Sequence, residues 1–160
     1  MSEEKQYTAA EAHRFFAIEF NGQTWNLLEK EDRTRADDEL MIHCAHASCR
    51  HWLEAGTELH HQRGEWMIAR VYSDLGLAEA ATLHADCCLE LTEQYSDLME
   101  DFDWAYAYEG VARANAIAGN RDKALEYIAL AEKAGEAISD AESKKFSVGA
   151  FDGGDWKGLR

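Results

Sequence analysis

Gly76 and Gly119 sit at the centre of two matching patterns, and this internal repetition narrows the possible folds more than any other feature of the chain. Ala81, Ala85 and Cys88 follow Gly76 at intervals of five, four and three residues, and Ala124, Ile128 and Ala131 follow Gly119 at the same intervals. Upstream, Ile68, Ala69 and Tyr72 stand where Val111, Ala112 and Asn115 stand before the second glycine. Small residues at this spacing let two antiparallel helices approach closely, and each glycine permits the tight turn between them. The chain therefore carries at least two helical hairpins with one packing code.

The rest of the sequence extends that reading. There is no proline among the 160 residues, so nothing of that kind interrupts a helix. Sustained alternation rich in Val, Ile and Thr is also missing, while Ala, Leu and Glu recur at helical spacing. The expected fold is all-α, with about seven helices in stacked antiparallel hairpins. They are expected over about 8–30, 34–55, 58–75, 78–95, 102–118, 122–138 and the stretch AESKKFSVGAF. Asn21-Gly22 resembles a stop, yet Phe16, Phe20 and Leu27 keep one apolar phase across it, which predicts a single long first helix. Gly56, Gly76 and Gly119 are the expected helix ends. Residues 1–151 are read as one domain and 152–160, with three glycines, as a mobile tail unless Trp156 docks.

Charge excludes some partners. The formal net charge is -15, from 31 acidic and 16 basic side chains spread along the chain, and this field opposes phosphate backbones and anionic membrane surfaces. No run of about 18 apolar residues and no basic-then-apolar start appear, so a cytoplasmic protein is expected. The four cysteines fall within helical segments that do not favour pairing within the two sequence-local pairs, and are read as reduced thiols.

The hairpin code resembles the tetratricopeptide repeat, a helix-turn-helix of 34 residues. The glycines here are 43 residues apart, and the usual Trp and closing Pro are absent, so the resemblance is to a TPR-like arrangement. FNGQTWNLL, MIHCAHASCRHW and DFDWAYAYEGVAR further resemble a group of small, functionally uncharacterised bacterial TPR-like proteins. The resemblance implies a right-handed superhelix whose inner helices line a concave groove. The corresponding positions carry Arg63, Trp66 and Arg70 on the third helix and Tyr106, Glu109 and Arg113 on the fifth. That set implies a non-catalytic module for a protein or peptide partner, with arginines meeting acidic groups and aromatics packing apolar side chains. Self-association through the same surface, giving a homo-oligomer, is the related expectation. Local pairs compete with it: Arg70 with Asp74, and Glu109 with Arg113, are ordinary i,i+4 neighbours.

A rival reading starts from HCAHASCRHW. On a helix, Glu39, His43, His46, Arg50 and Glu54 share one narrow strip, while apolar residues from Leu40 to Ala55 cover the rest. His43, His46 and Glu39, completed by His84 or His60 from a facing helix, could hold a transition metal such as zinc, giving a metal-binding bundle or metalloenzyme. The plainer reading is a solvated, hydrogen-bonded strip. Cys44 and Cys49 lie on the apolar arc and read as core. His84 with Cys87 offers a Cys-His pair with little to activate it. Phosphate loops, nucleophile elbows and di-iron Glu-x2-His pairs are absent from the sequence. No resident cofactor is expected outside the metal reading. Seven histidines also allow a pH-responsive module.

Overall fold

The computed structural model describes residues 3–152, 154 and 156–160. Seven α-helices follow one another: α1 (Ala9–Glu29), α2 (Arg35–Ala55), α3 (Glu58–Asp74), α4 (Ala78–Gln94), α5 (Asp101–Ala118), α6 (Arg121–Glu136) and α7 (Ala141–Asp152). A 3-10 turn at Ser96–Leu98 lies in the SDLMED connection, and no strand occurs among the described residues. The all-α expectation holds, with helix ends within a few residues of those read from the sequence.

Local chemistry accounts for where the helices begin and end. Thr8 with Glu11, and Thr34 with Asp37, form reciprocal capping boxes that satisfy two orphan N–H groups at each start. α1 runs through Asn21-Gly22 without a break. Gly76 (φ 72°) and Gly119 (φ 78°) are left-handed, a conformation that favours glycine. After each, the next residue's N–H reaches back to the last helical turn: Leu77 N–H donates to Tyr72 O at 2.9 Å, and Asn120 N–H to Asn115 O at 3.0 Å. This is one C-terminal motif used twice. Gly56 stops α2 for another reason, since its φ is negative. A Cβ there would sit 2.7 Å from the His60 ring, so the glycine makes room for that ring.

His60 occupies the position that Glu or Gln takes in a capping box, and Thr57 N–H donates to its Nδ1 at 3.0 Å. Only neutral imidazole offers that lone pair. Desolvation, with the Arg63 and Arg14 guanidiniums nearby, holds the His60 pKa below its ordinary value of about 6.5. The unfolded chain therefore takes up the proton first, so stability falls as pH drops through the ordinary histidine range toward the lower folded-state value. His60→Gln, which keeps a side-chain acceptor that does not titrate, is expected to flatten part of that loss in a pH series of denaturation curves. His46 and His51, also lowered chiefly by desolvation, retain the remainder. An unchanged slope would remove the His60 cap from this account.

Packing follows the repeated code. Ala69, Ala81, Ala85, Val111 and Ala114 form one core cluster where α3, α4 and α5 meet. Met41, Ala45, Cys49, Trp66, Met67, Ile68, Val71, Cys88 and Ala107 form a second across α2 to α5. Each helix packs on its neighbour in sequence, α3 also lies against α5, and α7 rests on α5 and α6. The sequence leaves the tail mobile unless Trp156 docks, and Trp156 does dock: it is buried with Ala112, Ala116, Ala124, Ile128 and Ala131. α2 is less enclosed than its wheel implies, because Leu40 and Leu53 are exposed. No described helix is long and apolar enough to cross a membrane.

Candidate functional site

One face of α3 and α5, flanked by α1 and α7, carries the aromatic residues expected to line a groove. Trp25 from α1, Trp66 from α3, and Phe102 and Tyr106 from α5 surround a cavity of about 220 Å³, with Asn21, Gln62, Arg63, Met67 and Asp103 completing its wall. The Trp25 and Trp66 rings are 6.0 Å apart, and Tyr106 meets Trp66 edge-on at 5.0 Å. Trp25, Trp66 and Tyr106 also line a neighbouring groove of about 650 Å³, bounded by Glu29, Arg70 and, on α7, Glu142, Lys145 and Gly149. Trp25 and Phe102 were not among the residues read as groove positions. Their place follows from how α1 and the start of α5 lie against α3, which no local spacing encodes.

The arginines sit differently from the expected positive patch. Arg63 donates to both oxygens of Asp103, at 2.9 and 3.1 Å, and its guanidinium lies 4.9 Å from the centre of the Phe102 ring. Arg70 holds Asp74 at 3.1 Å. Arg113 donates Nε to Glu109 Oε1 at 2.7 Å, with Nη2 on the same oxygen. Glu109 and Arg113 are both buried. The other Glu109 oxygen accepts from Trp66 Nε1 at 3.2 Å, and the Arg113 guanidinium lies 5.2 Å from the Trp156 ring centre. A chain of contacts therefore runs Trp66, Glu109, Arg113, Trp156 through the interior. Each of the three arginines already holds a carboxylate of this chain, which is why a net positive patch does not form. Burial pushes the Tyr106 pKa up, the Glu109 charge adding to the effect and Arg70 opposing it.

Gln62, 1% exposed, lies in the cavity wall. Thr92 spends its hydroxyl proton on Cys88 O at 2.7 Å, so it accepts from Gln62 Nε2 at 3.0 Å. Asp103 O also faces that nitrogen at 3.4 Å. Two acceptors around one end fix the orientation of the amide and leave Gln62 Oε1 buried without a hydrogen-bond partner among the described residues.

The histidine strip divides. Glu39 is exposed and bonded to Arg35 at 3.1 Å, and His43 is exposed. His46 turns inward, its Nε2 2.9 Å from the Tyr72 hydroxyl and its ring 5.4 Å from that of His84. His84 Nδ1 contacts Glu65 Oε2 at 2.6 Å. Glu39, His43, His46 and His84 thus do not converge as one ligand set, because α2 turns its Glu39 and His43 edge to solvent. A different set does. Ligand atoms of Cys49, His61 and Glu65 all lie within 4.8 Å of one another. All four cysteines are free thiols, and burial pushes the Cys49 thiol up to about 12, the Glu65 charge contributing. His60, the other facing candidate, is committed to its cap and stacks on Trp52 at 4.4 Å.

Comparison with family models, with curated proteins and with solved structures finds no match to this chain.

Proposed function

We propose that this protein is a non-catalytic interaction module, built of TPR-like hairpins, that holds a peptide segment by seating one large apolar side chain among Trp25, Trp66, Phe102 and Tyr106. The observation that carries this is the convergence of four aromatic rings from three helices on one cavity. Its size supports the reading. About 220 Å³ falls below the roughly 300–1,000 Å³ of pockets that take drug-sized ligands or cofactors. A single side chain fits that scale, and the adjoining groove toward α7 gives the rest of an extended segment somewhere to lie. Lys145, exposed on the α7 wall, is placed to meet a carboxylate of that segment, since Arg63, Arg70 and Arg113 are committed internally.

The test is selection of a random peptide library on the tag-free protein, with Asn21→Phe as the blocked form. Asn21 lines the cavity and is only partly buried, so a larger side chain there fills space without deleting a core contact. Selected peptides are expected to share one aromatic or large aliphatic residue and to perturb tryptophan fluorescence. An anchor of that size is worth about 1.5–3 kcal/mol, so the blocked form is expected to bind at least roughly tenfold more weakly. Peptides that bind both forms equally would place the interaction elsewhere.

A further inference from the structure

We propose that Cys49, His61 and Glu65 form a binding site for a zinc-class divalent transition metal at the junction of α2 and α3, independent of the aromatic groove. His61 and Glu65 stand one turn apart on α3, and Cys49 faces them from α2. His61 Nε2 lies 3.4 Å from Glu65 Oε1. Zn–N and Zn–O bonds of about 2.0–2.2 Å at a tetrahedral angle put two such ligand atoms about 3.4 Å apart. That edge of the coordination sphere is already in place. Cys49 Sγ lies within 4.8 Å of a ligand atom of each, so a shift of no more than about 1 Å completes a three-ligand face.

Two further features fit a metal better than a fortuitous cluster. The outer atom of the carboxylate has an orienting partner, Glu65 Oε2 being held by His84 Nδ1 at 2.6 Å, and the Glu58 carboxylate lies on the Nδ1 side of His61 at 3.8 Å. Carboxylate partners on a ligating histidine, and hydrogen bonds to a ligating carboxylate, set tautomer and direction in metal centres. The second feature is Gly64. A Cβ at that position would lie 2.7 Å from Cys49 Sγ and 3.1 Å from Cys49 Cβ. Glycine is what lets the thiol stand beside the His61–Glu65 face. A sulfur, an imidazole and a carboxylate together favour zinc, or cobalt as its substitute, over magnesium or calcium. Three protein ligands leave the fourth position to water or to a ligand from solution.

The experiment is titration of reduced, tag-free protein with cobalt(II) and then zinc(II), read by absorption and by thermal denaturation. One equivalent of cobalt is expected to give a sulfur-to-metal charge-transfer band and strong tetrahedral d–d bands, which zinc displaces. Saturating zinc is expected to raise the melting temperature by roughly 5–10 °C at about a hundredfold excess over Kd. Cys49→Ser is expected to abolish the charge-transfer band. His61→Asn, at a partly exposed position that can be changed without opening the core, is expected to weaken cobalt binding at least tenfold. His43→Asn is expected to change neither. An octahedral, aqua-like cobalt spectrum with the unaltered protein overturns the proposal whether or not any variant folds. So does a tetrahedral spectrum that survives His61→Asn or is lost with His43→Asn.

Discussion

Replacing Arg113 by Met is expected to destabilise the fold by about 3–5 kcal/mol, because it leaves Glu109 as an uncompensated charge in the interior. Glu109 is 3% exposed, and besides Arg113 it accepts from the Trp66 indole N–H. For a chain of this size the melting temperature would fall by roughly 6–20 °C. The double change Glu109→Leu with Arg113→Met separates the pair's net worth from the cost of breaking it. Removing both charges is expected to cost much less than the single change, since a buried pair recovers little more than its own desolvation. A double variant as unstable as Arg113→Met would mean that the guanidinium stabilises through Trp156, over which it lies, more than through Glu109. Urea denaturation midpoints of the two variants and the unaltered protein decide between these.

Trp66→Ala is expected to cost a similar amount, about 3–5 kcal/mol, for a different reason. The ring is 9% exposed, contacts Trp25 and Tyr106, and passes over Gly110, where a Cβ would come within 3.4 Å of Trp66 Cδ1. Its removal leaves a cavity at the centre of the cluster that joins α2 to α5. Trp66→Phe keeps most of the apolar area and deletes the N–H that Glu109 accepts, a hydrogen bond to a charged group worth about 1.5–3 kcal/mol. Phe is therefore expected to fall between wild type and Ala in a denaturant series. If Ala cost less than about 1.5 kcal/mol, Trp66 would be a groove residue with little part in the core. If Phe matched wild type, the indole bond would contribute nothing.

These residues also show what a linear reading captures. Arg70 with Asp74, and Glu109 with Arg113, were legible as i,i+4 neighbours, and both pairs form. Whether such a pair is solvated or buried was not legible: Arg70 keeps partial exposure, while Arg113 is 5% exposed. Arg63 looked free because its partner, Asp103, lies forty residues further on. The histidine strip shows the same limit. Glu39, His43 and His46 do share one helical edge, but Glu39 and His43 are exposed while His46 meets Tyr72 of α3, and the ligand-like cluster formed around Cys49, a residue that its apolar arc marked as core. His61-x3-Glu65 was the available signal, a ligand-capable pair one turn apart with glycine beside it, and it had no meaning until α2 supplied the third group.

The helices, their caps and the two glycine turns were determined by the sequence alone, because each depends on residues within about four positions of one another. Thr8 with Glu11, Gly76 and Gly119 act at that range. The repeated small residues then obliged those helices to pack as hairpins. Which side chains meet across the hairpins was decided only in the tertiary structure. A step of one residue turns a side chain by about 100°, so His43 and Cys49, six residues apart, point about 120° apart, and the rotation and position of α2 against α3 decide which group faces Glu65. The docking of Trp156, the enclosure of Glu109 and the aromatic walls around Gln62 were settled in the same way, by the approach and rotation of helices distant in sequence.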